Sequence, residues 1–351
     1  AHKLINSSIK SLSSQGMEKA RSVRAGATLF TCIGSTIGKI GLAGCTLATN
    51  QQINVVIPKP DYDDDYVYYQ LELRAAYIAK LAGTQAVPII NKTTFESQCI
   101  LVPDSLPEQN KIAKILSTWD KAISTTEQLL ANSQQQKKAL MQQLLTGKKR
   151  LLDNNGVGFS GEWKSYHLSH VTVIVMGSSP KSEAYNENGV GLPLLQGNAD
   201  IKNRISAPRV FTSEITKECE IGDILLSVRA PVGTVAISEH KACIGRGIAA
   251  LHAKPNFDQS FIYQFLLWFE PKWGSLSQGS TFESINSDDI KNLKIKVPNF
   301  GEQQKIAAVL TTADQEITTL QQKLDALKQE KQALMQQLLT GKRRVKVEEA
   351  A

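Results

Sequence analysis

The sequence predicts a mixed α/β (α+β) protein in which two globular modules are joined by two long antiparallel helices, with an approximate two-fold internal repeat. Two duplicated segments carry this prediction. EQNKIAKILSTWDKAI, from Glu108, recurs as EQQKIAAVLTTADQEI from Glu302, and KALMQQLLTGKKR, from Lys138, recurs as QALMQQLLTGKRR from Gln332. Both pairs have the same offset of 194 residues, so one structural unit occurs twice along the chain.

Each duplicated segment has the pattern of a long packed helix. Apolar residues alternate at spacings of four and three, which places them on one seam of a coiled coil. Gly147 and Gly341 suit helix C-caps, and a helix of about 38 residues spans roughly 57 Å. The expected seam residues are Ile112, Leu116, Ile123, Leu130, Leu140, Leu144, Ile306, Leu310, Ile317, Leu324, Leu334 and Leu338.

Polar residues interrupt the first seam at Thr126, Ser133 and Lys137. A seam with such interruptions makes a poor zipper alone, so an intramolecular helix partner is favoured. A homo-oligomeric coiled coil stays open as the alternative, and helices of other subunits could also pack on the pair.

Short apolar runs bounded by Gly or Pro predict strands in both modules, and most tyrosines and tryptophans are expected in their cores. In the second module, strands are predicted at Leu192–Gly197, Ile224–Arg229, Gly233–Ser238, Ile248–Ala253 and Leu293–Val297, with a helix at Asp258–Trp273. In the first, strands are predicted at Thr28–Ile33, Lys39–Ala43 and Ile53–Ile57, with a helix at Asp63–Ala82. The predicted boundaries are module 1 at 1–107, helix 1 at 108–150, module 2 at 151–301, helix 2 at 302–345 and a tail at 346–351.

Composition limits the classes of partner and compartment. The formal net charge of +7 favours a polyanionic partner such as nucleic acid, and 42% hydrophobic residues allow globular cores. The five cysteines show no CxxC spacing, which argues against a disulfide framework or zinc site. No apolar run is long enough to span a membrane and no leader is visible, so a cytoplasmic location and no membrane partner are expected.

Polar residues between the predicted strands are candidates for contacts with double-stranded DNA. Arg and Lys can pair with guanine edges in the major groove, and Asn and Gln with adenine edges, whereas other contacts reach phosphates and only set position. The bland alternative is that these residues are solvated loop polarity. The candidates are Lys39, Asn50, Gln51 and Lys92 in module 1, and Lys181, Gln196, Asn198, Lys202, Arg204, Arg209, Arg229 and Arg246 in module 2.

The sequence offers no reaction centre. Gly34–Lys39 resembles a phosphate loop, but it is one residue short between its glycines and lacks the following Ser or Thr. No Pro-Pro dipeptide is present, which excludes the adenine methyltransferase tetrapeptide, and neither HExxH nor GxSxG occurs. We therefore expect a chain that has no catalytic residue and binds no metal or cofactor.

The chain resembles the specificity subunit of type I restriction-modification enzymes. The resemblance covers nearly all of it and is carried by the module–helix–module–helix duplication, the two LMQQLLTGK segments, the lead-ins LPEQNKIAKIL and VPNFGEQQKIAAVL, and GDILLSVRAPVGTVAI. It implies that each module is a target-recognition domain for one half of a split DNA site. It also implies that the helices set the spacer and dock two methyltransferase (M) subunits, which carry S-adenosylmethionine. Two restriction-motor (R) subunits, which use ATP and Mg²⁺, complete the implied assembly.

One departure concerns the first module, which has no counterpart for the segment from Phe159 to about Ile201. An N-terminal part of that module is therefore expected to be missing, which leaves its half-site readout open. Two other functions stay open. A fused restriction enzyme would need a catalytic motif, and a coiled-coil scaffold would show no salt-dependent affinity for DNA.

Overall fold

The computed structural model describes residues 3–83, 87–153, 155–276 and 284–347. These residues form two compact units. Unit 1 is Ala1–Ala131 with Thr319–Ala351, and unit 2 is Asn132–Thr318. Both unit boundaries fall inside the two long helices, so each unit contains a part of both.

Unit 1 contains a four-stranded sheet in the order β1-β4-β3-β6, a two-stranded β2-β5 ribbon and three short or medium helices. Its strands are β1 Leu4–Ile5, β2 Ser22–Val23, β3 Thr28–Thr31, β4 Ile40–Ala43, β5 Leu47–Ala48 and β6 Ile53–Val56. Its helices are α1 Ser14–Lys19, α2 Asp64–Ala79 and α3 Lys92–Glu96, followed by the first long helix, α4 Leu106–Leu144, which continues into unit 2.

Unit 2 is built on three sheets, in the orders β11-β12-β16-β15-β18-β8, β14-β17-β10-β13-β9 and β19-β7. Its strands are β7 Lys164–His167, β8 Thr172–Met176, β9 Tyr185–Asn186, β10 Leu192–Leu195, β11 Ile201–Lys202, β12 Ile205–Ser206, β13 Val210–Thr212, β14 Glu218–Cys219, β15 Ile224–Ser227, β16 Val235–Ile237, β17 Ala242–Ile244, β18 Ile248–Ala253 and β19 Lys294–Val297. Its helices are α5 Leu168–Val171, α6 Gln259–Phe269, α7 Trp273–Leu276 and α8 Ser287–Lys291, followed by the second long helix, α9 Phe300–Leu338, which continues into unit 1.

The two units share an antiparallel three-stranded core. In unit 1, β3 lies between β4 and β6, with Leu29 opposite Gly41 and Val55. In unit 2, β15 lies between β16 and β18, with Leu225 opposite Ala236 and Ala250. The repeat seen in the sequence is therefore a repeat of strand order and register as well.

The helix that follows this core begins in the same way in both units. Asp63 caps α2 by accepting from the Tyr66 amide at 2.7 Å, and Asp258 caps α6 by accepting from the Phe261 amide at 2.7 Å. An N-cap carboxylate accepts a hydrogen bond from an otherwise unpaired helix amide, and its negative charge interacts favourably with the positive end of the helix dipole. This acidic residue fixes where each helix starts.

A side chain from each long helix reaches back to that cap. The Gln109 side chain accepts from the Asp63 amide at 2.9 Å, and Gln303 does the same for Asp258 at 2.9 Å. The side-chain amides of Gln109 and Gln303 also donate to the carbonyls of Pro103 and Pro298, at 2.9 and 3.0 Å. Both glutamines are buried, so each module is fixed to its long helix by satisfied hydrogen bonds rather than by loose surface contact.

Inside each unit the two long helices run antiparallel. In unit 1, Glu127 and Asp120 of α4 pair with Lys328 and Lys331 of α9. In unit 2, Ser133 donates to Glu316 at 3.0 Å, and Lys137 pairs with Asp314. The seam residues Ile112, Leu116, Leu130, Leu144, Ile306, Leu310, Leu324 and Leu338 are buried, and Ile123, Leu140, Ile317 and Leu334 are half-buried.

The mixed α/β fold, the long helices and the predicted strand and helix positions are confirmed, with bounds that shift by a few residues. Tyr66, Tyr69 and Trp273 are fully buried, as expected of core aromatics. The very short strands, such as β1 and β11, were not predicted, and neither was β17, which lies between β14 and β10 in the five-stranded sheet.

Candidate nucleic-acid interface

In unit 2 three loops meet at one end of β10 and β17 and bring several candidate residues together. The Arg246 amide and guanidinium both donate to the Ser179 hydroxyl, at 3.1 and 3.4 Å. The Gly247 amide donates to the Gln196 carbonyl at 3.1 Å. The side chains of Gln196 and Arg246 are exposed. We call this group, residues 177–181, 196–200 and 245–247, the unit 2 loop cluster.

Glycines allow the backbones in this cluster to approach closely. A Cβ on Gly247 would lie 2.3 Å from the Gln196 carbonyl oxygen, and one on Gly177 would lie 2.2 Å from the Gly245 carbonyl oxygen. Both distances are far below any van der Waals contact. Any residue other than glycine would separate the loops and move Gln196 away from Arg246.

A buried carboxylate organises the remaining part of the cluster. Asp200 accepts from the Gln196 amide at 2.8 Å and from the Arg209 guanidinium at 3.0 Å. Arg209 is still 60% exposed, so its charge faces solvent while Asp200 holds it. Lys181 is exposed two residues after Ser179, and Asn198 is half-buried beside Asp200. Five of the eight candidates in this module therefore lie in or against one loop cluster.

The other three candidates lie elsewhere in unit 2. Lys202 and Arg204 are on the β11–β12 hairpin, whose turn residues Asn203 and Arg204 have φ values of +50° and +67°. Arg204 donates to Glu270 at 2.5 Å, so its charge is partly neutralised. Arg229 is exposed at the end of β15, where it bridges to Ser284.

In unit 1 the candidates gather at one end of the β4-β3-β6 core. Lys39 is exposed immediately before β4, and its carbonyl accepts from the Thr31 amide at 2.9 Å. Asn50 and Gln51 are exposed in the turn before β6, and Lys92 starts α3 as an exposed residue that pairs with Glu96 at 3.4 Å.

The turns before β6 and β18 occupy equivalent places. In unit 1 the Gln52 carbonyl accepts from the Cys32 amide at 2.8 Å. In unit 2 the Gly247 carbonyl accepts from the Val228 amide at 2.9 Å. The residue before each carbonyl is Gln51 in unit 1 and Arg246 in unit 2, and both side chains are exposed. One framework position thus presents an amide in one unit and a guanidinium in the other.

In each unit, one of the two long helices carries a lysine in its seam, and the other carries an aspartate opposite it. Lys331 is 12% exposed and contacts Asp120 at 2.6 Å and Glu72 at 2.8 Å. Burial alone would lower the pKa of Lys331, but the two carboxylates raise it above its usual 10.5, so the side chain is charged at neutral pH. Lys137, 194 residues earlier, pairs with Asp314, which is 194 residues after Asp120.

Side chains of α2 in unit 1 and α6 in unit 2 donate hydrogen bonds to the same two aspartates. Tyr69 donates to Asp120 at 2.5 Å, and Gln264 donates to Asp314 at 2.8 Å. Burial, the hydrogen bond and the nearby carboxylates raise the pKa of Tyr69 far above 10, so the hydroxyl stays protonated and acts as a donor. The pairs Lys331–Asp120 and Lys137–Asp314 therefore set the register between the two long helices and α2 in unit 1 and α6 in unit 2.

A buried glutamate near the start of each long helix binds an arginine that follows the other long helix. Glu302 is fully buried and accepts two hydrogen bonds from Arg150, at 2.6 and 2.7 Å. Glu108, its counterpart in unit 1, accepts two from Arg344 at 2.6 Å. The hydrogen bonds from Arg344 lower the pKa of Glu108 below its usual 4.5, against the opposing effect of burial. The glutamate in the first turn of each long helix is thus held by the arginine that follows the other long helix.

Sequence reasoning missed the residues that organise the loop cluster, namely Ser179 and Asp200. Their roles come from contacts across 67 residues (Ser179 to Arg246) and from a short local turn that has no periodic pattern. The described residues contain no group of three or more His, Cys, Asp or Glu side chains placed to hold a metal ion. No described helix is long and apolar enough to cross a membrane.

A family model, relatives in sequence and solved structures all match this chain to the same family of proteins. The type I restriction modification DNA specificity domain matches residues 3–133 and 160–329. The "Putative type I restriction enzyme MjaX specificity subunit" of Methanocaldococcus jannaschii is 33% identical over 339 residues, which are 92% of this chain and 79% of that protein.

Two solved structures of such systems resemble the chain as well. One, from a study of complex assembly and conformational transition of the type I R-M system, has a TM-score of 0.60 at 25% identity and covers 91% of this chain and 83% of that one. The HsdS subunit from Thermoanaerobacter tengcongensis has a TM-score of 0.50 at 26% identity, with 93% and 83% covered.

Proposed function

This chain belongs to the type I restriction-modification DNA specificity family, and from that premise we propose that each of its two units reads one half of a bipartite site in double-stranded DNA. As a specificity subunit it is a DNA-recognition component without a catalytic role of its own. We assign this recognition to particular residues in each unit.

The observation that carries the proposal is the equivalent turn before β6 and β18. Gln51 stands there in unit 1 and Arg246 in unit 2, and both are exposed on the same framework. Glutamine forms bidentate contacts with adenine and arginine with guanine in the major groove. Two copies of one framework that differ at this position suit two half-sites of different sequence.

We assign the other candidates by their surroundings. Gln196 is exposed, and its carbonyl is held by the amide of Gly247 next to Arg246, which suits base contact. Exposed cations suit contacts with phosphates, and these are Lys39, Lys92, Lys181 and Arg209, and more weakly Lys202, Arg204 and Arg229. Asn50 and Asn198 suit phosphates through neutral hydrogen bonds. The net charge of +7 favours this division, because phosphate contacts supply much of the affinity of such complexes.

The long helices have two roles in this proposal. They fix the number of base pairs between the half-sites, and they form the platform on which two methyltransferase subunits dock. S-adenosylmethionine then belongs to those subunits, and ATP and Mg²⁺ belong to two restriction-motor subunits that join them. We place the assembly in the cytoplasm, where chromosomal DNA is accessible. A scaffold without DNA binding is not favoured by the comparisons.

The test is to map methylated sites in cells that express the complex with single substitutions. Gln51→Ala should relax one half-site only, and Arg246→Ala should relax the other half-site only. Arg343→Ala, an exposed arginine outside both sites, should change neither. If Gln51→Ala and Arg246→Ala altered the same half-site, or if neither altered any, the proposal would be wrong.

A further inference from the structure

A neighbouring serine holds Arg246 in a way that leaves the end of its guanidinium free. The Ser179 hydroxyl oxygen accepts from the Arg246 amide at 3.1 Å and from its guanidinium Nε at 3.4 Å. Among the described residues, none accepts a hydrogen bond from the two terminal nitrogens of Arg246. Arg209, by contrast, pairs with Asp200. Arg246 is therefore an exposed arginine that is oriented by a neutral partner.

Ser179 is a fixed point because its loop is tied to the strand beneath it. The Ser178 amide donates to the Ile244 carbonyl at 2.9 Å, and the Ser178 carbonyl accepts from the Thr216 hydroxyl. Ile244 is the last residue of β17, and Arg246 lies two residues after it. The serine and the arginine that it holds are thus carried by one hydrogen-bonded framework.

A glycine next to Arg246 lets the serine come close. A Cβ on Gly245 would lie 3.2 Å from the Ser179 hydroxyl oxygen and 3.2 Å from the Gln196 Cα, which is closer than ordinary van der Waals contact. The half-buried Ser179 side chain therefore lies against this turn. A side chain at position 245 would press on the serine, so the glycine keeps the hydroxyl within reach of Arg246.

The bond to Nε decides which edge of the guanidinium faces outward. The guanidinium is planar and rigid, and two of its parallel N–H donors match the O6 and N7 acceptors of guanine in the major groove. Because Ser179 occupies Nε, the terminal Nη1 and Nη2 of Arg246 remain as the free pair. A bidentate contact made by this pair leaves the bond to the serine in place.

We propose that Ser179 is a positioning residue for base recognition, which holds Arg246 in the orientation that meets guanine and does not itself contact the base. The inference rests on the proposed function, in which Arg246 reads one base of a half-site. Ordering a long side chain on binding weakens a complex by roughly 2- to 12-fold. Only the specific complex bears this cost, because contacts with phosphates at non-specific sites do not require the orientation that a base edge demands. Ser179 therefore increases discrimination between bases and leaves non-specific affinity unchanged.

The experiment uses the assembled complex with its methyltransferase subunits and two DNA duplexes. One duplex carries a site from the methylation map of the unsubstituted complex, and the other has a changed base pair at the position that Arg246→Ala relaxes. Discrimination is the ratio of the two dissociation constants, measured by fluorescence anisotropy at one fixed salt concentration.

Ser179→Ala should lower this ratio by roughly 2- to 12-fold, because it weakens binding to the first duplex only. Ser179→Thr keeps a hydroxyl and should retain the ratio. Ser165→Ala, at an exposed serine of β7 outside the loop cluster, is the matched control and should also retain it.

A double variant separates positioning from direct contact. Once Arg246 is removed, a residue that acts through it has nothing left to position, so Ser179→Ala with Arg246→Ala should give the same ratio as Arg246→Ala alone. A further loss in the double variant would mean that Ser179 contacts the DNA itself, and would overturn the proposal. An unchanged ratio in Ser179→Ala, or equal weakening on both duplexes, would overturn it while the role of Arg246 stands. If Arg246→Ala relaxed no position, the proposed reading by unit 2 would fail together with this inference.

Discussion

Replacing Lys331 by methionine should destabilise unit 1 much more than the equivalent replacement of Lys137 destabilises unit 2. Lys331 neutralises two carboxylates, Glu72 and Asp120, which are 27% and 23% exposed. Removing it leaves both negative charges close together and largely out of water. Lys137 neutralises only Asp314, which is 38% exposed and retains a hydrogen bond from Gln264.

The structure sets the size of the two effects. Breaking a fully buried ion pair by removing one partner costs about 3–5 kcal/mol, whereas exposed pairs contribute at most about 1 kcal/mol. Water reaches about a quarter of each carboxylate beside Lys331, so we expect a loss of about 2–3 kcal/mol for Lys331→Met. For Lys137→Met we expect about 1 kcal/mol, because Asp314 can be hydrated.

Native-state hydrogen exchange followed by mass spectrometry measures this unit by unit. At 1.4 kcal/mol per factor of ten, amides of residues 106–131 and 319–338 should exchange roughly 30 to 150 times faster in Lys331→Met. Lys138→Met, at the exposed lysine next to Lys137, is the matched control and should leave the exchange rates of both units unchanged. Adding Glu72→Gln and Asp120→Asn to Lys331→Met should restore part of the protection. Equal effects of Lys331→Met and Lys137→Met would refute the reasoning.

Two further predictions concern recognition and acid stability. Arg246→Gln should change the preferred base at one position of one half-site from guanine toward adenine, with about 1–3 kcal/mol of discrimination lost against the original base, as measured by comparing methylated-site maps. The lowered pKa of Glu108 means that its pairing with Arg344 contributes stability above pH 4.5, and this contribution is lost as the pH falls through the lowered value. Thermal unfolding between pH 6 and pH 3 should therefore show an acid-dependent loss in unit 1 that Glu108→Gln removes, and an identical pH profile for Glu108→Gln would contradict it.

The long helices and the core strands could be predicted because each has a pattern that repeats over many residues. The seam in α4 and α9 extends over five heptads, and β15 and β18 are apolar runs between turn residues. Two-residue strands such as β1 and β11 are too short for any periodicity, and they exist because neighbouring strands supply their hydrogen bonds.

Single residues were predictable where their type decided the outcome and not where a distant partner did. Lys137 and Thr126 stand in the sequence as interruptions of an apolar seam. The structure shows Lys137 paired with Asp314, and Thr126 buried with its hydroxyl donating to the Ala122 carbonyl at 2.8 Å. The partner of Lys137 lies 177 residues away, and no local pattern marks it. The same holds for Ser179 beside Arg246, which is why the loop cluster emerged only from the structure.

We propose that the long helices set the distance between the two DNA-recognition units. Inserting one heptad at the same level in α4 and α9 tests this proposal most directly. Seven residues add about 10.5 Å of helix, which is roughly three base pairs at 3.4 Å per step. Sequencing the methylated sites made by this variant complex should show both original half-sites and a spacer lengthened by up to about three base pairs. An unchanged spacer with full methylation would contradict the claim.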